Sequence, residues 1–482
     1  MKGIPTVNHR RGSVCFISLL AGLIFFLLSE IPVKATPPTL AAGGFQSATN
    51  QVETPFGFLT GISRSDYMLG DMWGLRPWLS RYGMSLNISE TSEYLGNTTG
   101  GVKRGADYDG LTQMSLQMGT EKAFGWYGGT FNVSGLQIHG DNLSAKNLHT
   151  LQTASGIEAD RSTRLWELWY QQKFFDEDRL DIKIGQQSLD QEFMVSQEAL
   201  VFVNTMFGWP MLPSADMPGG GPAYPLSAPG FRLRARPIDS LTFLGGVFTG
   251  SPAPNTDPDP QKADPSGISF PFKGALVIAE LQYSYPALGS MVSADDSSSL
   301  SGTYKVGTWY DTQRFADNGY NSVAMDRGDY AFYAVMDQMI WNDPNDENND
   351  RTIDFFARAM GTPLEDRNLI DFSLNAGFTF HEPFHNRDDD TFGIGMGYAK
   401  VSNGVSDAET QFNLNNPASA GPVQSGETFV ETTYQYALTP WCNLQPDVQY
   451  VFNPGGGIAN PNSPGENVKN ELVLGIRMNI IF

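Results

Sequence analysis

The chain has 482 residues, a formal net charge of −21 and a hydrophobic fraction of 40%, with 51 glycines and 30 prolines. The acidic balance excludes a partner as anionic as nucleic acid, and the apolar content excludes a largely disordered chain. Beyond Leu28 no segment approaches the roughly eighteen consecutive apolar residues of a transmembrane helix, which excludes helical spans there.

Lys2, Arg10 and Arg11 precede an apolar run from Val14 to Leu28, and Val33-Lys34-Ala35 offers a small-residue cleavage site. This pattern predicts a secretory signal peptide over residues 1–35, with the mature chain starting at Thr36. Its removal takes away four basic residues and one acidic residue, leaving 27 against 51 and a mature charge of −24. Cys15 leaves with it, so Cys442 is the only remaining thiol and no internal disulfide is possible. Residues 36–70, rich in Pro, Gly and polar side chains, read as a flexible leader. Asp71–Tyr82 gathers Trp73, Leu75, Trp78 and Leu79 into a short amphipathic cap, 71–83.

From Met84 onward, segments with a period of two recur. Sixteen are predicted as strands: 84–93, 111–120, 129–138, 164–174, 180–187, 230–237, 241–249, 274–285, 303–312, 329–341, 353–360, 369–380, 390–401, 428–438, 443–452 and 471–482. In the twelfth, Phe372, Leu374, Ala376, Phe378 and Phe380 oppose Asp371, Ser373, Asn375 and Thr379. In the last, Leu472, Leu474, Ile476, Met478, Ile480 and Phe482 share one side and the chain ends on the aromatic. Links after odd strands are mostly long (94–110, 139–163, 188–229, 250–273, 402–427), whereas several after even strands are tight (175–179, 238–240, 439–442). Hydrocarbon cannot satisfy an open sheet edge, so a spanning sheet must close on itself. The fold class read from this is all-β: a transmembrane antiparallel β-barrel over 71–482, its entrance carrying the 71–83 cap, with short periplasmic turns and long extracellular loops. Sixteen strands would enclose a water-filled lumen rather than a packed core. Tyr94, Phe174, Tyr285, Trp341 and Tyr436 are expected in the interfacial girdles.

Several segments now carry a resemblance: Arg164–Asp176 (RLWELWYQQKFFD), Ile182–Ser196 (IKIGQQSLDQEFMVS), Phe207–Pro237, Tyr333–Trp341 (YAVMDQMIW) and Thr433–Gly456. From about Asp71 to Phe482 the chain resembles the OprB family of carbohydrate-selective porins. The resemblance implies a passive outer-membrane channel for glucose-like monosaccharides and similar polyols, with no cofactor and no catalysis. The implied partners are small neutral sugars or polyols, outer-membrane lipid, and the barrel-assembly machinery through the strand ending at Phe482. The assembly is either a monomer or a homotrimer. The alternatives are a general or differently selective porin, for gluconate or small acids, or an outer-membrane barrel enzyme.

Selecting a sugar requires donors and acceptors that replace its water, and rings that meet its apolar face. Arg232, Arg234 and Arg236 share one strand face opposite Phe231, Leu233 and Ala235, so all three face the lumen if the apolar side meets lipid. They are either part of the transport path or a structural rail paired with carboxylates. Arg104, Arg161 and Arg164 flank loops that the resemblance puts near the constriction. Asp190 and Glu192, in the link 188–229, either accept sugar hydroxyls or are merely solvated on an outer loop. Trp169 shares a face with Glu167 and is expected in the lumen, with Trp166 against lipid. Trp209 is either a stacking platform or a loop anchor, and 218–229, dense in Gly and Pro, is read as a rigid loop folded inward. His381-Glu382-Pro383-Phe384-His385 matches a zinc-protease pattern, but that chemistry needs a helix which Pro383 opposes, so no metal site is expected there.

Overall fold

A computed structural model describes residues 65–254, 259–286, 300–344, 346, 351–385 and 387–482. The expected signal peptide and nearly all of the leader lie outside the described residues. Sixteen strands among the described residues form one closed antiparallel barrel. They are β1 (Met84–Thr99), β2 (Gly105–Gly119), β3 (Gly129–Gly140), β4 (Ser162–Phe174), β5 (Leu180–Gln187), β6 (Ala228–Ile238), β7 (Leu241–Thr249) and β8 (Ala275–Tyr285). The second half comprises β9 (Gly302–Ala316), β10 (Met325–Asn342), β11 (Thr352–Gly361), β12 (Ile370–His381), β13 (Thr391–Val401), β14 (Gly426–Thr439), β15 (Cys442–Phe452) and β16 (Glu471–Ile481). Each strand pairs with its neighbours in sequence, and β1 closes the ring on β16.

Every alternating segment is therefore a strand, several longer than expected. The largest change is at 94–110, expected as a long link but folded as a hairpin closed by residues 100–104. Asn97 closes it: its amide donates to the carbonyls of Gly100 at 3.2 Å and Lys103 at 3.0 Å, and its oxygen accepts from the Gly105 N–H. Elsewhere the parity mostly holds, although the turn-end link 286–301 is long and the loop-end links 317–324 and 362–369 are short. Connections 141–161, 188–227, 250–274, 402–425 and 453–470 lie at one rim, the loop end; 175–179, 239–240 and 440–441 lie at the other, the turn end.

Helix α1 (Leu75–Arg81) lies at the turn end, on the seam between first and last strands. Arg76 donates to the Leu86 carbonyl at 2.8 Å and to the carbonyl of Phe482, and the Met68 N–H bonds to Ile481 O at 2.8 Å. Met72 and Leu79 are buried there, while Trp73 and Trp78 stay exposed. The five aromatic residues expected in the girdles are all exposed as well.

The interior departs from an open, hydrated lumen. Inward positions from β7 to β15 include Phe248, Ile278, Trp309, Phe356 and Phe429, which pack in one apolar cluster with Phe193, Met194, Phe202 and Phe207 of the β5–β6 connection. Where that connection covers the wall, both sides bury apolar surface, so the wall is apolar on both faces. Trp166 is a second correction. The β3–β4 register shifts between Ser134 and Gly135, and Trp166 falls in the bulge. A bulge inserts one residue and resets the alternation. Trp166 therefore turns inward, 4% exposed, packing with Leu136 and Ile138 instead of meeting lipid.

Candidate functional site

Residues 188–204, the first part of the β5–β6 connection, run around the inner wall as a collar whose ties follow the order of the strands as far as β12 and then reach β14, β15 and β16 together. The Ser188 N–H donates to Glu167 of β4 at 3.0 Å. Glu192 pairs with Lys183 of β5 and, at 2.6 Å, with Arg232 of β6. The Met194 N–H reaches Glu280 of β8 at 2.8 Å, and Lys305 of β9 donates to the Val195 carbonyl at 2.5 Å. The Gln197 N–H bonds to Asp337 of β10 at 3.2 Å, and His381 of β12 meets Glu198 at 3.0 Å. Gln445 of β15 donates to Val201 O at 2.7 Å, Glu431 of β14 accepts from the Val203 and Asn204 N–H groups, and Arg477 of β16 donates to Val203 O. Arg358 of β11, fully buried, donates to the carbonyls of Met194, Met206, Phe207 and Gly208. Extended backbone in a polar interior needs partners for every N–H and C=O. Here the wall's charged side chains supply them.

Local sequence makes room for the collar. Gly393, Gly395 and Gly397 form the inward row of β13; a Cβ on Gly395 would stand 2.8 Å from the Phe207 ring and 3.0 Å from Phe202. The connection 141–161 also folds in: the Leu151 and Gln152 N–H groups bond to Glu427 at 2.8 Å, and the Gly156 N–H bonds to Val203 O at 2.9 Å.

These loops, with 250–274, leave a cavity of about 250 Å³. Its lining combines the rings of Trp209 and Tyr224 with the polar side chains of Thr153, Glu158, Thr205 and Gln261. Burial pushes the Glu158 carboxyl well above the usual range, toward its neutral acid.

The residues singled out in the sequence fall into three places. Arg232, Arg234, Glu192 and Trp169 meet in one network on β4–β6. Arg232 is 2% exposed and pairs with Asp181 as well as Glu192, while Arg234, its side chain 41% exposed, bonds to Asp181 at 2.5 Å. Lys183 lies over the Trp169 ring at 4.4 Å, and Trp169 donates to Glu167 at 3.2 Å. Burial would raise the Glu192 carboxyl, but Lys183 and then Arg232 outweigh it and hold it at about 2. Arg164, Asp190 and Trp209 form the second group, around the cavity. Arg164 donates to Pro225 O at 3.3 Å and Gln261 O at 3.2 Å; Asp190 accepts from the Ser188 hydroxyl at 2.6 Å and the Tyr224 N–H at 2.9 Å; Trp209, lining the cavity, donates to Gly220 O at 2.9 Å. Burial raises the Asp190 carboxyl above its ordinary range. Neither Asp190 nor Glu192 is solvated on an outer loop. The third group stands apart: Arg104 and Arg161 are exposed at the loop end, Arg161 pairing with Asp141 at 2.5 Å, and Arg236 is at the turn end, bonded to Glu177 O at 2.6 Å. The three arginines of β6 therefore share a face without forming one open ladder.

Sequence reasoning missed Lys183, Glu280, Asp337, Arg358 and Glu431. Each is an ionisable residue on the inward row of a strand whose other row is largely apolar, a signal present in the alternation itself. In the zinc-like pattern, His381 ends β12, Glu382 takes a positive φ of 50°, and His385 is exposed in the turn, so the motif forms no helix.

A closed sixteen-strand barrel, apolar outside and narrowed within by its own connection, defines the class: a β-barrel channel of the outer membrane, a porin. The chain belongs to the carbohydrate-selective porin, OprB family, whose model matches residues 103–482. It is 25% identical over 455 residues to Porin B of Pseudomonas aeruginosa, covering 87% of this chain and 92% of that protein. The high-pH structure of Pseudomonas putida OprB superposes with a TM-score of 0.73 at 22% identity, over 87% of this chain and 99% of the other. The low-pH structure of the same protein gives a TM-score of 0.54 over the same shares.

Proposed function

We infer that the chain is a passive diffusion channel for small neutral carbohydrates, glucose-like monosaccharides and polyols, crossing past the collar. The observation that carries this is the cavity bounded by the three inserted loops. At about 250 Å³ it suits a solute smaller than a drug-sized ligand. Its two rings offer apolar platforms and its hydroxyl and amide groups replace water on a polyol. With Glu158 driven toward its neutral form, that lining favours uncharged solutes. Trp209 and Tyr224 would stack against the sugar, and Arg164 and Asp190 would hold the loops that present them. Arg234 would line the water-filled part of the path beside the β4–β6 wall. The loop end would face outward and the turn end the periplasm, as connection lengths in such barrels dictate.

Liposome swelling with glucose, a hexitol, a disaccharide and gluconate of matched osmolarity tests this reading. Fast entry of glucose and hexitol, with slow entry of disaccharide and gluconate, is the expected ranking. Entry of gluconate ahead of glucose would instead mark the arginine network as an anion path and overturn it.

A further inference from the structure

Near the turn end of the wall, three ionisable residues converge outside both the cavity and the β4–β6 network. Asp354 of β11 stands two positions before the buried Phe356, and His381 of β12 two positions after the buried Thr379, so alternation turns both inward. Glu198 comes to them from the collar. Their ligand atoms all lie within 4.8 Å of one another, and no other trio of His, Cys, Asp or Glu among the described residues gathers this closely. His381 Nε2 is 3.0 Å from Glu198 Oε2 and 3.9 Å from Asp354 Oδ2. Each member also has a hydroxyl behind it. Thr379 donates to Glu198, Thr352 donates to Asp354 at 2.5 Å, and Thr391 Oγ1 lies 3.4 Å from His381 Nδ1. With Nδ1–H donating to Thr391, Nε2 presents its lone pair to the two carboxylates. His385, exposed in the following turn, takes no part.

We propose that Glu198, Asp354 and His381 bind a divalent transition-metal ion, Zn2+ foremost, which ties the collar to β11 and β12. Imidazole and carboxylate are ligands such an ion takes at about 2.0–2.2 Å, which in a tetrahedron sets neighbouring ligand atoms roughly 3.3–3.6 Å apart. The separations of 3.0 and 3.9 Å bracket that spacing. Three protein ligands leave the fourth position to water, and the side chains of His381 and Glu198 are open enough to the interior to admit it. The imidazole disfavours Ca2+ and Mg2+, which prefer oxygen alone. The three threonines hold the ligands in orientation, as the outer partners of metal ligands do. Charge points the same way. Two carboxylates against one imidazole leave the site negative even when the histidine is protonated, and Asp354 is 6% exposed. Buried charges are paired or coordinate metals, and a divalent ion neutralises both carboxylates at once.

The test is Zn2+ binding to the full chain, purified without a histidine tag, stripped with a chelator and titrated by calorimetry in detergent. Wild type is expected to take up one ion per chain and to gain thermal midpoint as it does so. His381→Ala and Asp354→Asn should each lose both effects, and His385→Ala should keep them. Asp354→Asn preserves the shape of the side chain, so it reports on the site even where His381→Ala does not refold. Glu198→Gln should lose the uptake as well, because the collar supplies the third ligand. No uptake by wild type, or wild-type uptake in Asp354→Asn, overturns the proposal. Uptake lost in His385→Ala instead would assign the ion to the turn, and unchanged uptake in Glu198→Gln would remove the collar from the site; either result also overturns it.

Discussion

Among the described residues Arg358 is a guanidinium with no carboxylate bonded to it and four loop carbonyls in reach, three of them on consecutive residues, Met206 to Gly208. Its planar fork can serve several acceptors at once, which the point charge of lysine cannot. Arg358→Met keeps the volume and removes the donors, leaving buried acceptors unpaired at about 1–3 kcal/mol each. The expected outcome is a lower thermal midpoint and noisy single-channel current, with Arg358→Lys restoring part of both. Wild-type behaviour in Arg358→Met would mean that the collar is held elsewhere.

The two arginines of β6 separate along the same logic. Arg232 is sealed between Asp181 and Glu192, and removing one partner of a buried ion pair costs about 3–5 kcal/mol. Arg234 keeps much of its side chain in water. Arg232→Ala is therefore expected to lower the unfolding temperature of the barrel, and Arg234→Ala to shift cation-to-anion permeability with little change in stability. Thermal scans and reversal potentials on the pair distinguish this from two equivalent pore residues. Glu192 adds a pH signature. Its carboxyl is held at about 2, below the unfolded value of roughly 4.3. A depressed carboxyl stabilises the fold above the unfolded value and loses that contribution as pH falls through the folded one. Wild-type stability should thus fall between about pH 4.3 and pH 2, and Glu192→Gln should flatten that part of a plot of thermal midpoint against pH. An identical slope in both proteins would place the acid response in other groups.

At the scale of elements, the glycine row of β13 is the counterpart of two phenylalanines on the collar. Gly395→Val adds a branched side chain where the Cβ alone would meet Phe207 at 2.8 Å. Overpacking of this kind costs about 1–3 kcal/mol, and the easier relief is movement of the collar rather than the hydrogen-bonded strand. The expected result is a destabilised barrel with altered conductance, whereas Ile394→Val on the lipid side should change neither. Both are read by planar-bilayer recording with a thermal scan.

How much of this was legible in the sequence depends on the range of each interaction. Strands and their lipid faces come from a local period of two, so the rows Phe372–Phe380 and Leu472–Ile480 could be read directly. The inward turn of Trp166 could not, because the bulge depends on how β3 pairs with β4. The collar's path was equally hidden. Its partners, from Glu167 to Arg477, span most of the chain, and no local pattern links them. One clue was present: β8, from Ala275 to Ala279, is apolar on both rows, which fits a strand covered on both faces. Placing Arg232, Glu192 and Trp169 together was within reach of the residue types; telling which guanidinium stays in water was not.

For the whole molecule, closure and constriction are one design. The barrel satisfies its backbone by ending β1 on β16, and α1 fastens that seam through Arg76 to the terminal Phe482. A sixteen-strand ring leaves an interior too wide to sort sugars by size. The collar narrows it using wall side chains drawn from nearly every strand, with a packed apolar patch on one side and the charged β4–β6 network on the other. On the proposed reading, aperture and solute choice rest mainly on 188–227, with 141–161 and 250–274 completing the cavity and the wall acting as the mount. The most direct test replaces residues 192–222 with a short Gly-Ser connection and measures single-channel conductance of the refolded barrel beside wild type. A several-fold rise in conductance, with disaccharide entering liposomes as readily as glucose, is the predicted result. Unchanged conductance and unchanged discrimination would contradict it.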